Sequence, residues 1–143
     1  EYGHGVNGDD YGHNLLLGAG VDLDVPAFDF VQLNLYQRFD LKGDNGESVQ
    51  LTAVWKYSTP VGKSAFIFDG FMDWVINDDG GYSKNLHFCP QLKFDIGTIW
   101  GWQPNRLHLG IEYDYWMNKY GIEDTDSFPT TQNAISLLVK SHF

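Results

Sequence analysis

A single cysteine, Cys89, stands among the 143 residues, which excludes an internal disulfide, and no CxxC pair or Cys/His cluster suggests a zinc site. It is most simply a small side chain on a strand. Basic charge is short as well: Lys+Arg 9 against Asp+Glu 19 gives −10. That excludes nucleic acid as a partner, because binding phosphates needs a net basic surface. An anionic ligand held by a few local Lys or Arg residues remains compatible with it. No stretch approaches the roughly 18 consecutive apolar residues of a spanning helix, although barrels cross membranes with alternating strands and leave no such run. Ala, Met and Glu are scarce, so helix-forming material is thin. No cofactor or metal motif is present.

What is abundant is aromatic residues, 16% of the chain, and glycine, at 16 positions. Together with recurring period-two alternation they predict an all-β chain, the size of one domain, with no helix. The alternation predicts about seven antiparallel strands, roughly 14–25, 28–41, 48–59, 64–77, 85–100, 106–120 and 132–143. EYGHGVNGDDYGHN at the start reads as a loop, and the first residue is either a mature end or a cut. Tight connections VPA (25–27), TPVGK (59–63) and GWQPN (101–105) alternate with longer polar ones at 41–48, 77–85 and 120–132. Outer-membrane barrels alternate in this way, with short turns on the periplasmic side and long loops outside.

On strand 106–120 the odd positions Leu107, Leu109, Ile111, Tyr113, Tyr115 and Met117 oppose His108, Gly110, Glu112, Asp114, Trp116 and Asn118. The other strands divide with the same parity, and Pro90, lacking an N–H, predicts a bulge or local edge within 85–100. A soluble lipocalin-like ligand-binding barrel, apolar inside, shares this alternation with a membrane barrel that is polar inside. Three features favour the membrane. The polar face mixes both charge signs with Gln, Asn, His and Trp, unlike a Lys/Glu-rich soluble surface. Tyr57, Phe66, Trp74, Trp100, Tyr115 and Phe143 fall near the strand ends of the oily face, where interfacial girdles sit. The last strand, NAISLLVKSHF, ends on Phe143 and is similar to the C-terminal signal read by the outer-membrane assembly machinery.

GVDLDVPAFDFVQLNLYQRFD (20–40), LHLGIEYDYWMNKYGI (107–122) and NAISLLVKSHF together resemble the Tsx-like family of nucleoside-specific outer-membrane channels, including its vibrio phage-receptor branch. The resemblance covers nearly the whole chain. It implies a transmembrane β-barrel of twelve strands in the Gram-negative outer membrane, a narrow lumen that passes nucleosides, and external loops open to phages and colicins. Family members are roughly twice as long, and seven strands is an odd number for a barrel whose first and last strands must pair antiparallel. Residues 1–143 are therefore expected to be one barrel domain forming the C-terminal portion of a longer barrel.

With the polar face as lumen, its wall carries Tyr36, Arg38, Lys56, Asp69, Phe71, Asp73, Lys93, Asp95, His108, Glu112, Asp114, Trp116 and Lys140, with Asp22. Aromatic rings stack on a base, and hydroxyl or carboxylate groups bond the ribose. The expected partners are outer-membrane lipid and lipopolysaccharide, the assembly machinery, nucleoside-like small solutes and phage. The same charges pairing across strands would simply fill a solvated interior, and a barrel serving mainly as a surface receptor is the other alternative. Catalysis is not expected. Ser136 and His142 share a face but lie about 20 Å apart along the strand, and Asp69 and Asp73 are about 13 Å apart, beyond acid/base spacing. DNGE (44–47) and EDTD (123–126) lack the later bidentate Glu of a calcium loop, so these acids read as solvated loop charge.

Overall fold

Period-two alternation is satisfied by pairing, and the chain pairs almost throughout. The computed structural model describes residues 3–4, 10–11, 14–40, 47–77 and 83–143. Its main sheet contains β3 (Asn14–Leu23), β4 (Phe28–Asp40), β5 (Glu47–Val61), β6 (Ser64–Val75), β7 (Asn85–Asp95), β8 (Leu107–Met117) and β9 (Gln132–Ser141). These seven strands form one antiparallel meander in chain order. The predicted opening loop holds two short strands, β1 (Gly3–His4) and β2 (Asp10–Tyr11), which pair only with each other. Among the described residues β3 and β9 each have a single neighbour, so the sheet is open. The predicted loop acid Asp44 lies outside the described residues, as does most of the long link 77–85.

Turn chemistry fixes the register. Val61 faces Ser64 across a two-residue loop whose first residue, Gly62, has φ +60°, where a type II′ hairpin needs left-handed backbone. Between β4 and β5 the register shifts from Phe28–Tyr57 to Phe30–Lys56. The extra residue, Asp29, turns Phe28 toward the oily face, where its ring lies 5.5 Å from that of Tyr57.

Two expectations are corrected. Strand 85–100 ends at Asp95, and a helical turn, α1 (Ile96–Ile99), follows. The Asp95 carboxylate accepts from the Thr98 N–H and caps that turn. Gly97 packs so closely on Leu107 that an added Cβ would lie 3.2 Å away, which holds the turn against β8. Trp100 therefore belongs to this connection, which spans 96–106, and the alternation of short and long links is less regular than the sequence suggests. Pro90 gives the expected local edge without a bulge: pairing of β7 with β8 lapses at Cys89 and Pro90 and resumes in unchanged register at Gln91–Glu112.

Burial separates the two faces. Polar-face residues of β7 and β8 are covered, with Lys93 5%, Asp95 3% and His108 3% exposed, while Ile135 and Leu137 on the oily face of β9 are 76% and 75% exposed. A soluble barrel with an apolar interior would place Leu17, Leu109, Ile135 and Leu137 inside, whereas here all are exposed. Leaving one such side chain in water forgoes about 1.5–3 kcal/mol, so a face made of them requires an apolar surrounding. No helix among the described residues is long and apolar enough to cross a membrane, which bears only on helical spans.

Candidate functional site

The register lines the polar residues into rows across the sheet. One row runs Asn34, Thr52, Asp73, His87, Trp116 and Gln132, from β4 to β9 without a break. The His87 and Trp116 rings stack with centroids 4.1 Å apart and planes 4° apart, and Phe71 meets His87 edge-on at 4.9 Å. His87 Nε2 lies 2.7 Å from Asp114 Oδ1, and Gln132 Nε2 donates to Asp114 Oδ2 at 2.9 Å. Lys119 Nζ donates to Gln132 Oε1 at 2.7 Å and stands 4.8 Å over the Trp116 ring. An aromatic stack is thus locked by one carboxylate that bonds on both sides.

On β4 and β5, at this level and toward the long loops, the contacts are polar. Thr52 Oγ1 donates to Asp73 Oδ1 at 2.6 Å, and Arg38 Nη1 donates to Gln50 Oε1 at 3.0 Å. Tyr36 faces Gly18, whose missing side chain makes room for the phenol: a Cβ there would lie 2.6 Å from Tyr36 Cδ1.

Two rows further toward the hairpin turns, past Val54 and Phe71, come Lys56, Asp69, Gln91 and Glu112. Lys56 faces Asp69 in register, yet Asp69 Oδ2 takes its proton donor from Lys93 Nζ at 2.6 Å. Gln91 donates to Glu112. Asp69 Oδ1 is buried and has no partner among the described residues. It borders a hollow of about 220 Å³ lined by Phe30, Val54, Phe71 and Gln91 among others. Two aromatic rings, an amide and an unpaired carboxylate oxygen therefore converge there.

Asp95, His108 and Lys140 form a separate group at the short-turn end. The Asp95 carboxylate is taken up by Thr98 N (3.2 Å), Thr98 Oγ1 (2.8 Å) and Asn105 N (2.7 Å), so it organises the turn. His108 is buried opposite Lys140, and its ring meets His142 edge-on at 6.0 Å. The parity list thus divides into Phe71, Asp114 and Trp116 of the aromatic cluster, Tyr36, Arg38 and Asp73 of the polar stretch over β4 to β6, the carboxylate hollow around Asp69 with Lys56, Lys93 and Glu112, and this turn group. Phe30, Gln91, His87, Gln132 and Lys119 are absent from that list. Parity carried one step further along β4 reaches Phe30, but Lys119 lies past the strand end and has no sequence signal.

Beyond β8 the link 118–131 is held by its own polar groups. Asn118 Oδ1 accepts from the Asp124 N–H (3.1 Å), and Asp124 Oδ1 accepts from the Thr130 N–H (2.7 Å). The Thr130 amide holds the Asp124 carboxyl below the usual carboxylate range.

A family model described as "Nucleoside-specific channel-forming protein, Tsx" matches residues 3–143. No curated protein and no solved structure matches the chain. The family is one of outer-membrane porins, which sets the chain among transport proteins. With that match running over a seven-stranded antiparallel sheet, oily on one face and polar on the other, the chain belongs to the family of Tsx nucleoside-specific channel-forming proteins.

Proposed function

We propose that the sheet is part of the wall of an outer-membrane barrel through which nucleosides or similar small polar solutes diffuse, with the polar face as lumen and the short turns on the periplasmic side. The observation that carries this reading is the hollow where Phe30 and Phe71 stand beside the unpartnered Asp69 Oδ1. A base has two ring faces to lie against, and a ribose diol has a carboxylate to donate to. The His87–Trp116 stack one row beyond Phe71 offers the next aromatic step toward the long loops.

Stacking contributes about 1–3 kcal/mol per base. At that strength a solute is held at millimolar concentrations or weaker, which suits transit, because a channel must release what it binds. The wall's remaining carboxylates already have partners and keep the passage shaped and wet. A second role as an attachment surface, as for phage, is favoured by the link 118–131, which its Asp124 and Asn118 bonds hold in place while Ile122 and Phe128 stay exposed.

The test is planar-bilayer conductance with added adenosine. Block by adenosine is expected, and Asp69→Asn and Phe71→Ala should each weaken it by about tenfold, equivalent to roughly 1.4 kcal/mol of contact. Absence of block by any nucleoside would defeat the substrate assignment while leaving the barrel wall standing.

A further inference from the structure

The connection 96–106 is built more firmly than a passive turn requires. Besides the three bonds to Asp95, the Trp102 N–H donates to Gly97 O at 2.9 Å, and Gly101 and Asn105 take left-handed backbone with φ +84° and +64°. This frame holds Ile99, Trp100 and Trp102 outward, the two indoles edge-to-face at 6.3 Å. Alongside, His142 N–H donates to Arg106 O at 2.9 Å and Arg106 Nη1 donates back to His142 O at 3.2 Å. Between these elements lies a cavity of about 380 Å³ lined by Trp102, Gln103, Arg106, His142 and Phe143.

We propose that this cleft is a headgroup site for a phospholipid, with the phosphate diester accepting hydrogen bonds from the Arg106 guanidinium and the acyl chains lying along the oily face. A guanidinium carries five N–H donors. Arg106 uses one on His142 O and a second, at 3.5 Å, on Gln103 Oε1. The other donors match the paired oxygens of a phosphate. Trp100 and Trp102 supply rings of the kind that settle at headgroup depth. Three residues along the same two strands from Arg106 and His142, exposed Leu109 and Val139 face one another in register, so a bound headgroup has a greasy track for its tails.

Net charge separates a lipid from a free anion. A chain at −10 repels dissolved phosphate, whereas a phospholipid is delivered to the cleft by burial of its tails. The inference rests on the oily face lying in lipid and not on nucleoside transit.

Native mass spectrometry of the full chain in detergent, with equal dioleoylphosphatidylglycerol and dioleoylglycerol added, tests it. The expected result is retention of one phosphatidylglycerol in preference to dioleoylglycerol. Arg106→Ala should lower that binding constant about tenfold and Arg106→Lys should lower it less. Millimolar inorganic phosphate should not displace the lipid, and adenosine block of conductance should be unchanged in Arg106→Ala. Equal retention by wild type and Arg106→Ala would overturn the proposal, as would equal retention of dioleoylglycerol or displacement by phosphate. Strand circular dichroism reports the folding of each variant, and should Arg106→Ala lose that signal, Arg106→Lys and Trp102→Ala decide by the same criteria.

Discussion

Ser136 and Leu137 are neighbours on β9, yet they lie on opposite faces of the sheet. Leu137 faces Ile111 in register on the exposed oily side, while Ser136 faces Glu112 on the polar side. The oily face is exposed from Leu15 on β3 to Val139 on β9 and draws its contacts from rings such as Phe66 and Phe94, 4.8 Å apart. The polar face instead holds itself by bonds between strands: Asp69 with Lys93, Asp73 with Thr52, Asp114 with His87 and Gln132. Polar groups can be covered in this way only when each finds a partner or water. Apolar groups can be left outside only when the surroundings are not water. One chain meets both conditions by alternating along every strand.

The sharpest way to break that contrast is to place the same charge on each side. Leu137→Arg should destabilise the folded protein in lipid vesicles by about 2–4 kcal/mol, whereas Ser136→Arg, one residue away, should change stability far less. Equilibrium unfolding in urea with the vesicles present measures both, and equal losses would show that the faces do not differ in solvent. The smallest effect belongs to neither face. In the link 118–131 the Asp124 carboxyl is held below its ordinary range by the Thr130 N–H. A carboxylate with a depressed folded value stabilises above its unfolded value, about 3.9, and that contribution is lost as pH falls through the folded value. Protection of the Thr130 amide from hydrogen exchange, taken relative to the intrinsic rate at each pH, should therefore fall in acid below about pH 4, and Asp124→Asn should remove that fall. Protection that stays constant through this range in the wild type would contradict it.

Alternation was legible because a side-chain period of two survives any register, and it correctly sorted Leu109 from His108 and Leu137 from Ser136. Register was not, since it depends on how each turn closes. The bulge at Asp29 moves Phe28 to the oily side without any break in the run FDFVQLNL. IGTIW continues β7 in pattern, but the Asp95 cap and the close packing of Gly97 on Leu107 bend it into α1. At the candidate site parity could name Asp69, Phe71 and Trp116 as sharing a face. Only the cross-strand register brings Phe30 and Gln91 to Asp69, or His87 between Phe71 and Trp116. Asp95 shows the opposite error: its parity is that of a wall residue, and its bonds are those of a turn.

The central claim is that water lies on the even-numbered face of β8 and lipid on the odd. Single spin labels placed in turn at residues 108–117 of the vesicle-bound protein, with Cys89→Ser as background, measure it through relaxation by a water-soluble nickel chelate and by membrane-dissolved oxygen. The expected result is two out-of-phase period-two curves, nickel access peaking at Gly110, Glu112 and Asp114 and oxygen access at Leu109, Ile111 and Tyr113. Nickel access peaking at the odd positions, or curves without alternation, would contradict it.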